Sequence, residues 1–269
     1  MGLRSLCKDF NVLLSRRVML LWNTNRTRRR YHQTLYNRGE IAIKIEGATA
    51  KFFLETHGDF VHLAGDYFER EQITTFVGLL RPDDVIYEVG GHIGTWSVFM
   101  AKKVHQGRVI VFEPQPENRA RLEQNTAKNG LTNVQVLDAA VSDRAGHAQL
   151  GVREEHHDGR HSLMVDGNHT QTIRVPTMTL DQVAGERSMP PATVVKIDCE
   201  GGEHGVLGGM SGLLNSGSIR LVFAELHPAI LDRAGVCPQQ IENMLEAAGL
   251  RAIKRWNRAG EISLILQRQ

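Results

Sequence analysis

The stretch Val85-Ile-Tyr-Glu-Val-Gly-Gly-His-Ile-Gly94 decides how this chain is interpreted. Its first half is short and mostly apolar, as in a buried β-strand, and it stops at glycine. Glycines at positions 90 and 94 let the backbone turn tightly and let a ligand approach it. A helix predicted at 95–104 would then offer free N–H groups to a carboxylate or phosphate. The dinucleotide-binding pattern GxGxxG is not matched, because the glycines fall at 90, 91 and 94.

Strands and helices alternate along the chain after this loop. Apolar segments predict further strands at 108–113, 134–139, 193–198, 220–225, 251–254 and 262–266, and helices at 117–129 and 238–248. Near-continuous apolar strands separated by helices indicate a parallel sheet covered on both faces. The link between the last two strands, about seven residues, is too short for a parallel crossover. The sequence therefore predicts an α/β, Rossmann-like fold with a mostly parallel seven-stranded sheet and an antiparallel last strand.

The N-terminal part of the chain differs from this core. Segments 41–46 and 51–56 flank Gly47 and read as a small antiparallel hairpin, and 69–80 has helical spacing. We therefore divide the chain into a basic arm (1–40) and a domain (41–269). The domain consists of the hairpin region (41–68) and the Rossmann-like core (69–269).

The arm carries many basic side chains between Arg4 and Arg38, with only Asp9 opposing them. Its apolar run at 18–22 is far short of the ~20 residues that span a bilayer. We interpret the arm as a solvated helical segment, and the alternative is a basic amphipathic helix contacting an anionic membrane or glycolipid. The net charge of +2 is too small to imply a nucleic-acid partner.

Cysteine usage argues against a disulfide framework and a zinc knuckle. Cys7, Cys199 and Cys237 are odd in number, far apart, and form no CxxC pair. A reducing cytoplasm is the simplest compartment for such a chain, and we predict a cytoplasmic location with the membrane contact of the arm as the alternative.

Acidic and small residues follow the predicted strands, at the edge where open α/β sheets bind ligands. Glu113 ends the second strand, so its carboxylate could accept both hydroxyls of a ribose, and Pro114 turns the chain away. Asp138, Ala139 and Ala140 end the third strand. There the small side chains leave room for an adenine ring, and the carboxylate could accept from its amine.

Several motifs occur in the order found in one family. They are 88–94, Phe112-Glu-Pro-Gln-Pro-Glu-Asn118, Ala140-Val-Ser-Asp143, Thr179-Leu-Asp181 and Lys196-Ile-Asp-Cys-Glu-Gly-Gly-Glu203. Together they resemble the FkbM family of methyltransferases over roughly 69–226. The resemblance implies the class I methyltransferase fold, S-adenosylmethionine as donor, and oxygen methylation of a sugar or polyketide hydroxyl.

The resemblance also assigns the glycine loop to the donor. Glu88, Gly90, Gly91, His92 and Gly94 are then cofactor-binding residues, together with the strand-end residues above and with Asp198. The family usually reads Asp-Val-Gly-Ala-Asn-x-Gly, so Glu88, Gly91 and His92 depart from its pattern. The histidine replaces an amide near the methionine part of the donor, which could weaken donor binding.

Methyl transfer to an aliphatic hydroxyl is helped by a general base within hydrogen-bond reach. The candidates are Asp198, Glu200 and His227, with Glu203 equally explained as a helix cap. Asp198 ends the fourth strand, near the expected position of the methyl group. His227 ends the fifth strand, and a neutral imidazole there would suit proton abstraction near neutral pH.

The sequence favours a site without metal over two alternative hypotheses in which a metal ion is bound. Asp198, Glu200 and Glu225 could supply oxygen ligands to a divalent cation that acidifies the hydroxyl. The run 156–161 (HHDGRH) resembles a zinc site, but its irregular spacing favours a polar loop beside the substrate. Ser162 and Leu163 in that loop would line the acceptor pocket.

Two other function classes remain open at this point. One is an NAD-dependent oxidoreductase, which the missing GxGxxG and the antiparallel last strand disfavour. The other is a catalytically silent S-adenosylmethionine-binding module, supported only by Glu88 and His92. For the active enzyme, we expect a small-molecule or glycan acceptor.

Overall fold

The computed structural model of the protein describes residues 39–64, 68–153, 159–167, 169–186 and 189–269. Nearly all of the predicted basic arm lies outside these residues. The strands are β1 (Glu40–Ile45), β2 (Ala48–Phe53), β3 (Val85–Val89), β4 (Arg108–Phe112), β5 (Val134–Leu137), β6 (Ala140–Val141), β7 (Gly146–Val152), β8 (Gln171–Met178), β9 (Val194–Ile197), β10 (Leu221–Leu226), β11 (Leu250–Arg258) and β12 (Glu261–Arg268). The helices are α1 (His57–Ala64), α2 (Arg70–Leu79), α3 (Thr95–Lys103), α4 (Pro116–Lys128), α5 (Leu180–Gly185), α6 (Glu203–Gly208), α7 (Ser211–Ser216), α8 (Pro228–Arg233) and α9 (Pro238–Ala247).

The central sheet has seven strands in the order β11-β12-β10-β9-β3-β4-β5. Neighbours from β10 to β5 pair in parallel, whereas β12 runs antiparallel to both β10 and β11. This confirms the predicted α/β sheet with an antiparallel last strand. The last strand lies inside the sheet, between β10 and β11, and is therefore hydrogen bonded on both sides.

Both faces of the sheet are buried along β3, β4, β9 and β10, which explains why these four strands are apolar at nearly every position. Neighbouring residues of β3 point to opposite faces. Ile86 joins a core with Phe99 of α3, and Tyr87 joins a core with Leu245 of α9. Each fully buried side chain of this kind contributes roughly 1.5–3 kcal/mol relative to an exposed one.

The predicted N-terminal hairpin is present, formed by the antiparallel strands β1 and β2. It is fixed by two asparagines, Asn125 in α4 and Asn129, the residue that caps this helix. The backbone N–H of Phe53 donates to Asn125 Oδ1 at 3.0 Å, and that of Lys51 donates to Asn129 Oδ1 at 3.0 Å. Asn125 Nδ2 also donates to the carbonyl of Ile93 at 2.8 Å, so the same side chain ties the hairpin to the glycine loop.

A second, three-stranded sheet in the order β6-β8-β7 is the main element that the sequence did not predict. Strand β6 contains only Ala140 and Val141, and it pairs in parallel with the end of β8. Strands β7 and β8 form an antiparallel pair whose connection is long. No local sequence pattern predicts this pairing, because the strands that pair are distant from each other in sequence.

None of the helices described is both long and apolar enough to cross a membrane.

Candidate active site

A cavity of about 380 Å³ opens at the carboxyl ends of β3, β4, β9 and β10. Ligand pockets typically occupy about 300–1,000 Å³, and this edge is where open α/β sheets bind their ligands. Most of the predicted site residues line it: Gly90, Gly91, His92, Glu113, Pro114, Ala140, Asp198, Glu200 and His227.

The glycine loop forms one wall of the cavity. Gly90 and Gly94 have φ values of +83° and +85°, which are accessible mainly to glycine, and His92 also has a positive φ of 48°. The loop leads into α3, where Thr95 lines the cavity. The Thr95 hydroxyl is buried and has no hydrogen-bond partner among the residues described.

Glu113 lies beside this loop, directly after β4. Its carboxylate accepts hydrogen bonds from the backbone N–H groups of His92, at 2.7 Å, and Gln115, at 2.9 Å. Burial raises the pKa of Glu113 to about 7, although these two hydrogen bonds act in the opposite direction. The backbone thus holds the carboxylate in a fixed orientation at the cavity wall.

Glu88 and Gly94 are not among the lining residues described, although the sequence predicts that they bind cofactor. Glu88 is fully buried and accepts a hydrogen bond from Ser97 Oγ at 2.5 Å. Its other carboxylate oxygen lies 3.8 Å from Lys196 Nζ. Glu88 therefore fixes the glycine loop through its buried contacts with Ser97 and Lys196. Direct contact between Glu88 and a ligand stays a prediction.

Burial raises the pKa of Glu88 to about 7 from 4.5, while Lys196 lowers it and Asp198 and Glu113 raise it. The folded state then binds more protons than the unfolded state between these values, so the free energy of unfolding falls as pH rises through that window. Glu88→Gln removes the contribution of Glu88 to this slope, while Glu113 and Glu200 keep theirs. We expect the free energy of unfolding of the variant, relative to that of the wild type, to increase by about 3 kcal/mol as the pH rises through this window.

Urea unfolding at a series of pH values measures this difference. Glu246→Gln on the surface of α9 is the matched control, because it removes an exposed carboxylate of the same size. Equal pH slopes in the wild type and Glu88→Gln would contradict the prediction.

The third strand end does not follow the sequence-based expectation. Of the predicted residues Asp138, Ala139 and Ala140, the described cavity wall includes only Ala140. Asp138 is exposed and pairs with Arg119 Nη1 at 2.7 Å. The reason is that β5 ends at Leu137, so that the chain turns before Asp138. Contact between Asp138 and an adenine amine is therefore not supported by its position.

Lys196 anchors the centre of the cavity floor. Its ammonium group donates to Asp198 Oδ2 and to the carbonyl of Gly90, both at 3.1 Å. Burial opposes the charged form, but the carboxylates of Asp198 and Glu88 raise the pKa of Lys196 above its usual value. Burial would likewise raise the pKa of Asp198, and Lys196 lowers it below its usual range. Asp198 is thus an ionised carboxylate of fixed orientation.

His227 lies between two carboxylates at the end of β10. Its Nδ1 is 2.6 Å from Glu203 Oε1, and its Nε2 is 3.6 Å from Glu200 Oε1. Burial would lower the pKa of His227, but the hydrogen bond to Glu203 and the charge of Glu200 raise it to about 10. Both ring nitrogens face carboxylate oxygens, an arrangement that favours the protonated imidazole, and a role of His227 as a neutral base stays a prediction.

Glu200 lies on the turn between β9 and α6, in a left-handed conformation with φ of 49°. Its carbonyl accepts a hydrogen bond from Ser162 Oγ at 2.5 Å, which connects this turn to the loop beyond β7. Burial raises the pKa of Glu200 to about 7, and the charge of His227 opposes the shift. A carboxylate that lines the cavity in this way can accept a proton from a ligand.

Sequence reasoning missed the pairing of two carboxyl groups in the cavity wall, because it proposed Glu225 only as a metal ligand and did not propose Glu69 as a site residue. Glu69 and Glu225 are hydrogen bonded to each other, and Trp96 Nε1 donates to Glu69 Oε2 at 2.8 Å. Burial raises the pKa of both carboxyl groups. The position of Glu225 at a strand end was a usable signal. Glu69 stands just before α2 and gave none.

The polar loop is only partly described. The residues at 154–158, including His156 and His157 of the suggested zinc motif, lie outside the described residues. Gly159, His161 and Leu163 line the cavity, as expected for a loop on the substrate side. Ser162 is buried and bonded to the Glu200 turn, and it is not among the described lining residues.

Comparison with known proteins identifies the family. Residues 88–252 match the family model described as the methyltransferase FkbM domain. The hexuronic acid methyltransferase AglP of Haloferax volcanii is 27% identical over 213 residues, covering 79% of this chain and 82% of that protein. The 31-O-demethyl-FK506 methyltransferase FkbM of Streptomyces tacrolimicus is 29% identical over 180 residues, covering 55% and 67%.

A solved structure, the methyltransferase FkbM of Methylobacillus flagellatus, is similar with a TM-score of 0.47 and 15% identity, covering 70% of this chain and 45% of that one. The family model, by contrast, matches more than half of the chain and includes both the glycine loop and the Glu200 turn. This protein therefore belongs to the FkbM family of methyltransferases.

Proposed function

We propose that the chain transfers the methyl group of S-adenosylmethionine to a hydroxyl group of a sugar, glycolipid or polyketide-type acceptor. The observation that carries the proposal is one cavity shared by the glycine loop, Glu113, Asp198 and Glu200. Relatives named for methylating a hexuronic acid and 31-O-demethyl-FK506 support an acceptor of this class. Arg258 also lines the cavity, and its charge suits an acidic sugar.

The cavity residues fit the proposed donor. The unpartnered hydroxyl of Thr95 stands at the start of α3, where a helix N-terminus offers N–H groups to the carboxylate of the donor. Glu113 is held by backbone N–H groups and keeps acceptor capacity for two ribose hydroxyls. Ala140 and Val141 supply small apolar surface for the adenine ring.

When bound, S-adenosylmethionine supplies an electrophilic methyl carbon, whose bond to sulfur breaks as the acceptor oxygen bonds to it. The chain must align these groups and accept the hydroxyl proton. We assign the proton to the Glu200 carboxylate, because His227 directs both ring nitrogens at carboxylates. Asp198, fixed by Lys196, is the second residue expected to contact the reacting groups.

Binding and turnover are best measured separately to test this function. Calorimetry with S-adenosylmethionine and with NAD separates a methyltransferase from an NAD-dependent oxidoreductase. A panel of glycan and polyketide acceptors with isotope-labelled donor, followed by mass spectrometry, then detects methyl transfer. Binding of NAD in place of the methyl donor would contradict the proposal. Tight donor binding without product from any hydroxyl acceptor would favour the silent module.

Glu113→Gln should weaken donor binding about 10- to 100-fold, the usual loss when a hydrogen bond to a charged group is removed. The amide also places an N–H group against the backbone donors of His92 or Gln115. Calorimetric titration of the donor measures the change. Asp138→Asn is the matched control and should bind as the wild type does, because Asp138 faces solvent and Arg119. An equal loss in both variants would contradict the assignment of the donor pocket.

A further inference from the structure

We propose that Glu225, His227 and Glu261 bind a divalent transition-metal cation such as Mn²⁺ in the wall of the cavity. One ligand atom from each side chain lies within 4.8 Å of the other two, and all three residues line the cavity. The pairing of β10 with β12 explains the cluster. Leu226 is opposite Ile262, so that His227 and Glu261 are opposite each other one position further along.

The orientation of His227 is independent support for this site. Its Nδ1 contacts Glu203, a fully buried carboxylate, at 2.6 Å, so Nε2, which lies 3.6 Å from Glu200 Oε1, is the nitrogen that would give up its proton and bind the cation. Metal-bound histidines almost always donate their other ring N–H to a carboxylate or carbonyl group in this manner. The second oxygen of Glu203 is buried without a hydrogen-bond partner in the described part of the chain. Glu203 therefore holds the ring as it is held in histidine metal sites.

The charges around the cluster also favour a cation. Glu225 is hydrogen bonded to another carboxyl group, that of Glu69, and both are buried beside the cavity. Lys196, the ammonium group of the cavity floor, is paired with Asp198. A hydrogen bond between two carboxyl groups needs a shared proton, and a cation bound between Glu225 and Glu261 would displace that proton and compensate both carboxylates.

The donor atoms indicate the type of metal. Ca²⁺ and Mg²⁺ prefer oxygen ligands alone, whereas a set of one imidazole and two carboxylates suits Mn²⁺ or Zn²⁺. The sequence predicted no metal in the favoured interpretation, and its alternative set of Asp198, Glu200 and Glu225 shares only Glu225 with this site. The cross-strand neighbour Glu261 completes it.

The role of the cation rests on the proposed function. Its remaining coordination positions would face the cavity, beside Glu200, where the acceptor hydroxyl is expected. A bound cation would hold the acceptor oxygen and make its proton more acidic, and that proton would pass to Glu200. An acceptor with a second oxygen close to the hydroxyl, as in a sugar diol or a hydroxy acid, could chelate the cation.

Titration of the full chain with Mn²⁺, followed by electron paramagnetic resonance, tests the site without donor or acceptor. We expect one bound ion per chain and a loss of affinity of about 10-fold or more in Glu261→Gln. Glu246→Gln, an exposed glutamate on α9, should bind Mn²⁺ as the wild type does. Glu203→Ala should also lose about 10- to 100-fold, because it removes the hydrogen-bond acceptor that orients His227.

Circular dichroism and donor calorimetry show whether each variant is folded. A wild-type chain that binds no Mn²⁺, or a folded Glu261→Gln variant with unchanged affinity, would overturn the proposal. Because the titration contains no donor, failure of the metal site and failure of the methyltransferase function give different results: the first removes the ion signal, and the second removes donor binding or methyl transfer.

Discussion

Gly90→Ala is expected to destabilise the protein by more than about 4 kcal/mol, which is exceptional for a single substitution. A Cβ atom at this position would lie 1.8 Å from the carbonyl oxygen of Asp198, a backbone atom that cannot rotate away. The φ of +83° adds strain for any residue with a side chain. The loop cannot shift cheaply, because Gly90 donates to the Phe112 carbonyl at 3.1 Å and accepts from Lys196 Nζ.

Thermal unfolding measures this effect, and we expect the melting temperature to fall by on the order of 10 °C or more. Gly78→Ala in α2 is the matched control. A Cβ atom there meets nothing within 4 Å, and alanine favours a helix over glycine by roughly 0.5–1 kcal/mol. The control should therefore melt at the wild-type temperature or above it. If Gly90→Ala melted at the same temperature as Gly78→Ala, the close contact between Gly90 and the Asp198 carbonyl would not exist as described.

The central sheet could be predicted because its signals are local. The strands β3, β4, β5 and β9 are followed directly by glycine or an acidic residue, and the short connection before β12 determines its direction. Pairing between distant segments leaves no such signal. Strand β6 has two residues and depends on β8, which lies beyond a long loop. Its presence therefore becomes visible only in the fold.

The same limit applies to the candidate site. Gly90, Glu113 and Asp198 were predictable, because the carboxyl ends of parallel strands converge at one edge. Asp138 was assigned to the wall on the assumption that β5 continues to 139, and the strand ends earlier. Glu69 comes from a segment outside the sheet, so only tertiary packing brings it to Glu225. The protonation of His227 likewise depends on Glu203 and Glu200 packing against the ring.

Glu200→Gln is expected to lower kcat by about 10²- to 10⁴-fold, the usual contribution of a general base. The amide has the same shape as the carboxylate but cannot accept a proton. It should keep the left-handed turn, since Ser162 Oγ bonds to the backbone carbonyl of residue 200 rather than to its side chain. Donor affinity should remain at the wild-type value, because the glycine loop and Glu113 are expected to hold the donor.

Single-turnover measurements with saturating donor and acceptor isolate the chemical step from binding. Glu123→Gln, an exposed glutamate on α4, is the control and should turn over as the wild type does. Asp198→Asn distinguishes the second candidate, since it removes the carboxylate that Lys196 orients while leaving Glu200 in place. A wild-type kcat in Glu200→Gln would contradict the assignment of Glu200. A simultaneous large loss in Asp198→Asn would transfer the role of base to Asp198. Among the other residues proposed from the sequence, Asp198 is the candidate whose carboxylate is ionised, fixed in orientation and exposed to the cavity.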